Sequence, residues 1–99
     1  MLFPAVLFAI FGSAGAVQIS LCSPMNLGTE IGKNAYMSNG WCSDRCREGG
    51  FVAAITQSYT CWCSNSIPAD TMPISSCDYT CPGYSEKCGG DGVYGYIVL

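Results

Sequence analysis

The chain begins with an apolar run, residues 2–11, that only Pro4 interrupts. Small residues follow and end in Ala14-Gly15-Ala16, a spacing typical of signal-peptide cleavage, although the usual positive charge before the run is missing. About 10 apolar residues are too few to span a bilayer, which needs about 20. We therefore expect a secretory signal peptide at residues 1–16, with a truncated anchor or a buried strand as the alternatives.

The remaining residues, 17–99, carry patterns of short strands. Apolar and polar residues alternate over residues 17–22, which predicts a first, half-buried strand. Residues 51–56 and 59–64 predict a hairpin that turns at Gln57 and Ser58, and residues 93–99 predict a closing strand.

One helix is predicted between the first strand and the hairpin. A loop containing Pro24, Gly28 and Gly32 leads to Ser38, which stands where an N-cap belongs before residues 41–48. Gly49 and Gly50 end the segment after two to three turns, too short to persist without packing or cross-links. The stretch 65–92 is rich in Pro, Ser, Asp and Gly and predicts a long loop anchored by disulfides.

Cysteine content indicates how so small a domain is stabilised. A domain of 83 residues buries only about 60% of its unfolded surface, which leaves its core marginal. All 8 cysteines lie in this domain, a density typical of disulfide-stabilised secreted proteins. We expect an oxidising, extracellular compartment and four disulfides.

Charge and composition exclude several functions. The chain has no His, so neither a Ser/His/Asp triad nor a His-containing zinc site can be built. Four scattered cations and a net charge of −3 make neither a nucleic-acid surface nor a contact with anionic lipid. We expect no cofactor, no nucleic-acid partner and no membrane contact by the domain itself.

Eight cysteines permit on the order of 100 pairings, and spacing alone does not choose among them. Cys42 and Cys46 share one face of the predicted helix, and Cys61 and Cys63 share one face of a predicted strand, so two parallel bridges can join these elements. We expect the pairs Cys42–Cys61, Cys46–Cys63, Cys81–Cys88 and Cys22–Cys77. The alternative of a zinc site is disfavoured because zinc knuckles use Cys-x2-Cys, a spacing that is absent here.

Taken in order, these motifs resemble the WSC domain, the cysteine-rich head of fungal cell-wall stress sensors. The resemblance covers residues 18–99 and rests on these motifs: Met37-Ser38 before Cys42-x3-Cys46, Gly50-Phe51, Cys61-Trp62-Cys63-Ser64-Asn65, Cys77-x3-Cys81-x-Gly83, Cys88-Gly89-Gly90 and Val93-Tyr94. The family commonly has Gly where this chain has Ser64.

The resemblance implies a small, disulfide-rich α+β fold related to PAN/apple domains, with a curved antiparallel sheet, one short helix and the four disulfides above. It also implies a noncatalytic, extracellular module that binds fungal wall polysaccharide, β-glucan or mannan. In the family's sensors the module stands on a Ser/Thr-rich stalk before a membrane helix and serves the cell-wall integrity pathway.

Neutral sugars bind to proteins by stacking on aromatic rings and by hydrogen bonding. The candidate binding residues are Trp62, Trp41, Tyr84 and Tyr36. Because Cys61 and Cys63 face the helix, Trp62 faces the other side of the sheet, either as a sugar contact or as core under the long loop. Plain packing is also open for the other three.

Other conspicuous side chains have simpler interpretations. Tyr59 and Phe51 are expected in the core, and Asn65 is expected to form a turn hydrogen bond. The carboxylates of Asp44, Glu48, Asp78 and Asp91 are expected to form a solvated surface rather than a catalytic pair.

Two functions of different class therefore remain. The leading hypothesis is a noncatalytic polysaccharide-binding module, and the alternative is a protein-interaction or adhesion module that self-associates or binds a wall protein. A secreted effector or inhibitor is a weaker third hypothesis.

Overall fold

The computed structural model describes residues 16–99, so the predicted signal peptide lies outside the described residues except for Ala16. The elements in chain order are β1 (Leu21–Ser23), β2 (Thr29–Lys33), α1 (Asn39–Glu48), β3 (Ala53–Gln57), β4 (Thr60–Ser64), the 3-10 turn Ile74–Ser76 and β5 (Tyr94–Val98). None of the helices within this range combines the length and the apolar character that crossing a bilayer requires.

The strands form one antiparallel sheet in the order β1-β5-β3-β4-β2. Helix α1 packs against one face of this sheet, over β3 and β4. The predicted α+β class, with one helix, an antiparallel sheet and four disulfides, is confirmed. Kinship with PAN/apple domains stays a prediction.

Helix α1 ends at Glu48, as predicted, and begins at Asn39, two residues earlier than predicted and directly after the predicted N-cap Ser38. Ser38 has an extended backbone, and its side-chain oxygen accepts the Trp41 N–H at 3.1 Å, which satisfies one free donor of the first turn. Gly50, at a φ of 77°, takes the left-handed conformation that favours glycine after a helix. The helix buries Cys42 and Cys46 toward the sheet.

Strand β2 lies in a stretch that was predicted to be a loop, and that prediction was wrong. Thr29–Lys33 pairs with β4 at the edge of the sheet, with a bulge between Glu30 and Gly32. Its side chains are mostly exposed, so the sequence has no apolar alternation to reveal it. Backbone pairing rather than burial makes this segment a strand.

The ends of other strands differ from prediction by a few residues. Val17 and Ile19 pack against the core from outside the sheet, so their alternation does not mark strand pairing, and β1 begins only at Leu21. The hairpin turns one residue later than predicted, at Ser58 and Tyr59.

Tyr59 was expected in the core, and that prediction was wrong. Because the hairpin turns one residue later, Tyr59 lies in the turn and is 54% exposed. Phe51 is partly buried against the helix-side core.

Four disulfides fix these elements together. They join Cys22 to Cys77, Cys42 to Cys61, Cys46 to Cys63 and Cys81 to Cys88. These are the expected pairs, and no cysteine among residues 16–99 is free. Six of the eight cysteines belong to the core cluster between helix and sheet, together with Met37, Ala54 and Ile97.

The loop over residues 65–92 follows the prediction, because it contains only a short 3-10 turn and isolated β-bridges at Met72, Thr80, Lys87 and Gly90. The Cys22–Cys77 disulfide anchors it to β1, Cys81–Cys88 closes a smaller loop within it, and the Met72 N–H donates to the Cys22 carbonyl at 2.8 Å. The Ser58 N–H donates to the Cys88 carbonyl at 2.9 Å, which ties the end of the loop to the hairpin turn.

Candidate functional site

The sheet face turned away from α1, which we call the distal face, carries Leu21, Ile55, Trp62, Tyr94 and Tyr96. Cys61 and Cys63 are bridged to the helix, so Trp62 between them points away from it. The strand register aligns Trp62 with Ile55, and Ile55 with Tyr96. Trp62 therefore lies on the predicted side of the sheet.

Trp62 and Tyr94 form an aromatic pair on the distal face. Their ring centroids are 5.6 Å apart and their planes are perpendicular, an edge-to-face arrangement that aromatic rings favour. Both residues are partly buried against a core of Ala53, Ile55 and Tyr96. Core packing and sugar contact, the two roles open to Trp62, are thus compatible, because part of the side chain packs and the rest reaches solvent.

Tyr96 supports this pair from below. It is fully buried, and its hydroxyl donates to the Met25 carbonyl at 2.7 Å and accepts the Leu27 N–H at 3.0 Å. Burial raises the pKa of Tyr96 above its ordinary value of 10.0, partly offset by the Leu27 hydrogen bond, so the hydroxyl keeps its proton and both bonds.

The loop that Tyr96 fixes approaches Trp62 closely. A Cβ at Gly28 would lie 2.9 Å from the Cβ of Trp62 and 2.8 Å from the Ile55 Cδ1, so the loop packs closely there because residue 28 lacks a side chain. The base of the Trp62 side chain is therefore held by both the sheet and the loop.

Polar groups border the pair along the β2 edge. Glu30 lies directly opposite Trp62 and Lys33 opposite Thr60, so all four side chains are on the distal face. The Lys33 ammonium and the Glu30 carboxylate form an exposed ion pair at 2.9 Å. The distal face thus combines aromatic rings with hydrogen-bond donors and acceptors within reach of one ligand.

Trp41 lies on the other side of the molecule, in the first turn of α1. The guanidinium of Arg45, one helical turn on, sits 4.7 Å from the ring centroid, a cation–π contact that covers one ring face. The ring also packs against the helix-side core. Trp41 and Trp62 are separated by the helix and sheet layers and cannot contact the same short ligand.

Tyr36 and Tyr84 lie on two loop segments that contact each other. The Gly83 N–H donates to the Met37 carbonyl at 2.8 Å, and a Cβ at residue 83 would collide with the Tyr36 backbone. Their side chains are 78% and 48% exposed, respectively. The four predicted candidates therefore occupy three separate places: the distal face, the helix and this pair of loops.

Sequence reasoning missed Tyr94 as the partner of Trp62. The two residues come from strands that are separated by β3, an arrangement that depends on the strand order. The only signal in the sequence was that Tyr94 and Tyr96 are two apart in a strand and so share a face. The turn hydrogen bond expected from Asn65 is instead made by Ser64, whose oxygen accepts the Ser66 N–H at 2.9 Å.

The titratable groups take structural or solvated positions. Asp44, Glu48, Asp78 and Asp91 are exposed, as predicted. Glu86, which the sequence did not single out, is buried and accepts two backbone N–H groups.

The sulfurs of Cys42, Cys46 and Cys61 lie within 4.8 Å of one another, a grouping that could suggest a metal site. All three are held in disulfides and therefore present no thiolate to a metal ion.

Comparison with known proteins agrees with the motifs and the disulfide framework. The chain is 44% identical over 84 residues to "Cell wall integrity and stress response component 4" of Saccharomyces cerevisiae (strain ATCC 204508 / S288c), an alignment covering 81% of this chain and 14% of that protein. It is 38% identical over 64 residues to "Uncharacterized protein in LEU2 3'region" of Pichia angusta, covering 64% of this chain and 17% of that protein. The chain thus spans less than a fifth of the length of these relatives. The family model described as "WSC domain" matches residues 16–90. This chain belongs to the WSC domain family.

Proposed function

We propose that this chain is a noncatalytic, extracellular module that binds fungal cell-wall polysaccharide, β-glucan or mannan, through the distal face, as the head of a cell-wall integrity sensor. The observation that carries the proposal is the edge-to-face pair of Trp62 and Tyr94. The yeast relative named for cell-wall integrity and stress response supports the sensor role.

The pair suits a sugar chain because the aromatic rings are held in place before a ligand arrives. Ile55 and Tyr96 support the rings, so little side-chain entropy is lost when a ligand binds. Successive sugar units present apolar C–H faces that can stack on the rings, while their hydroxyls can bond Glu30, Lys33 and Thr60 at the border.

A noncatalytic role agrees with the state of the carboxylates. Glycoside hydrolysis needs two carboxyl groups that flank the bond to be cleaved. Of the 7 carboxylates, all within residues 16–99, Glu30 and Asp44 form exposed ion pairs and both oxygens of Glu86 are occupied by backbone N–H groups, while the others are exposed: Glu48, Asp70, Asp78 and Asp91.

An extracellular location agrees with the disulfides. Disulfides such as these four form and persist in oxidising compartments and are rare in the cytosol.

The proposal is tested by sedimentation of the folded protein with insoluble β-glucan, chitin and mannan. Trp62→Ala should weaken retention by about tenfold, the effect of losing a stacking contact of about 1.4 kcal/mol. Trp41→Ala is the matched control, because it removes the same side chain from the opposite side of the molecule and should leave retention unchanged.

Melting curves of each variant separate lost binding from lost structure, and Trp62→Phe keeps a smaller ring if Trp62→Ala unfolds the domain. Equal retention of the wild-type protein and the Trp62 variants, or no retention by any glycan, would refute the proposal.

The alternative, a protein-interaction module, is favoured by a separate observation. Half-exposed apolar side chains occur on two adjoining loops: Met25, Leu27, Ile67, Met72 and Ile74. Ser23, the last residue of β1 before the first loop, donates its hydroxyl hydrogen to the Asp70 carbonyl in the second loop at 2.6 Å. Concentration-dependent dimerisation in sedimentation velocity, together with no glycan retention, would select this function.

A further inference from the structure

Glu86 is a buried carboxylate whose partners are unusual. Its side chain is 7% exposed, its Oε1 accepts the Val17 N–H at 2.7 Å, and its Oε2 accepts the Asn39 N–H at 2.7 Å. A buried carboxylate is ordinarily paired with a cation, because neutral donors offset only part of its lost hydration. In residues 16–99 both ion pairs lie elsewhere and are exposed, so Glu86 is held by neutral amides alone.

Val17 is partly buried and is held by its N–H, its carbonyl and its side chain. Beyond its N–H, its carbonyl accepts from the Asn39 Nδ2 at 3.0 Å, and its side chain packs against the helix-side core. Asn39 is itself buried, donates to the Lys87 carbonyl at 2.7 Å and accepts the Thr56 hydroxyl at 2.7 Å. The nitrogen of residue 17 therefore occupies a defined position within a buried polar network.

Ala16, the residue immediately before Val17, lies outside this network. Ala16 is exposed, and the sequence Ala14-Gly15-Ala16 has the small residues that a leader peptidase recognises. Among residues 16–99, Val17 is thus the first anchored residue, and it is the one that cleavage after Ala16 would make the N-terminus.

We propose that Glu86 is the binding site for a free α-ammonium group on Val17, which hydrolysis of the Ala16–Val17 peptide bond creates. A leader peptidase adds water across this bond, leaving a carboxylate on Ala16 and an amine on Val17 that takes up a proton. One amide donor becomes three ammonium donors with a positive charge, directly beside the Glu86 carboxylate. Processing then supplies the cation that this carboxylate lacks.

The consequence is that processing strengthens the junction between the chain start, the start of α1 and the loop closed by Cys81 and Cys88. Hydrogen bonds to charged groups contribute more than those between neutral groups. We expect the unfolding equilibrium constant of the processed protein to be smaller by about tenfold than that of the unprocessed protein. This proposal does not depend on polysaccharide binding.

Two measurements test the proposal that Glu86 binds the Val17 ammonium. The first is the intact mass of the protein secreted with its own leader from a fungal host. The mass should place the N-terminus at Val17, and any other N-terminus would overturn the proposal.

The second measurement compares proteins that begin at Val17 and at Ser13, each with and without Glu86→Gln, by equilibrium unfolding with the disulfides intact. The Val17 start should be more stable by about tenfold with Glu86 present, and this advantage should vanish in Glu86→Gln. An equal advantage in both backgrounds, or none in either, would overturn the proposal.

A chemical control covers the case in which Glu86→Gln does not fold. Cyanate near neutral pH carbamylates α-amines in preference to lysines, because their ordinary pKa is about 8 rather than about 10. The Val17 amine of the folded protein should react several-fold more slowly than that of the unfolded protein, and carbamylation should abolish the stability advantage. Equal reaction rates would contradict an amine bound by Glu86.

Discussion

Removing Cys42–Cys61 should destabilise the domain less than removing Cys22–Cys77, although both bridges are fully buried. The bridges Cys42–Cys61 and Cys46–Cys63 interleave along the chain. While Cys46–Cys63 is intact, Cys42 is already connected to Cys61 by a short path: four residues along α1, then the Cys46–Cys63 bridge, then two residues along β4. Cys42–Cys61 closes only this short loop. Loop-closure entropy for about six residues amounts to about 2 kcal/mol.

Cys22–Cys77 closes a much longer loop. Its sequence separation is 55 residues, which the Cys42–Cys61 bridge shortens to an effective loop of about 36 residues. The same relation gives about 4 kcal/mol, twice the value for Cys42–Cys61. The small cavity left by a buried sulfur adds to both values and leaves the difference near 2 kcal/mol.

The assay is guanidinium unfolding of proteins in which both cysteines of one bridge are replaced by Ala. Replacing Cys46 and Cys63 is the matched control and should cost the same as replacing Cys42 and Cys61, since the two bridges close the same short loop. Replacing all four should cost about 1 kcal/mol more than the sum, because the last bridge then closes the full loop. A cost for Cys42–Cys61 that equals or exceeds that of Cys22–Cys77 would refute this reasoning, as would peptide maps that link Cys22 to Cys61.

Two further predictions concern the supports of the candidate sites. Tyr96→Phe should lower the free energy of unfolding by about 1–3 kcal/mol in thermal or denaturant unfolding, because the Leu27 N–H and the Met25 carbonyl lose their partner. Because burial raises the pKa of Tyr96, the unfolded chain releases the hydroxyl proton at a lower pH than the folded protein does. The stability of the wild-type protein should therefore fall above about pH 10 more steeply than that of Tyr96→Phe. Parallel pH profiles of the two proteins would contradict this. Gly83→Ala should cost about 1–3 kcal/mol, because the new methyl group meets the Tyr36 backbone; an unchanged melting temperature would contradict that contact.

The sequence was most informative where structure depends on neighbouring residues. The N-cap at Ser38 and the glycines after Glu48 are local signals, and they placed α1 within two residues. The periodicities of helix and strand also brought two pairs of cysteines onto facing sides, which is why the expected Cys42–Cys61 and Cys46–Cys63 bridges match those in the structure.

The sequence was less informative where structure depends on distant pairing. Strand β2 is an exposed edge strand, held by hydrogen bonds to β4 that leave no apolar pattern. Trp62 meets Tyr94 only because β5 inserts beside β3, and Glu86 is buried only because its loop reaches the start of α1. Each of these depends on strand order or loop course, which residue spacing does not encode.

The most direct test of the central claim, that the distal face binds wall polysaccharide, uses the indole signals of the two tryptophans in a nitrogen-15 NMR titration. Trp62→Phe and Trp41→Phe assign the two signals, and soluble β-glucan and mannan oligosaccharides serve as ligands. We predict that the Trp62 signal shifts and saturates with one of these ligands while the Trp41 signal stays in place. A Trp62 signal that stays fixed while an oligosaccharide binds elsewhere would contradict the account. The absence of binding by both oligosaccharides would contradict it as well.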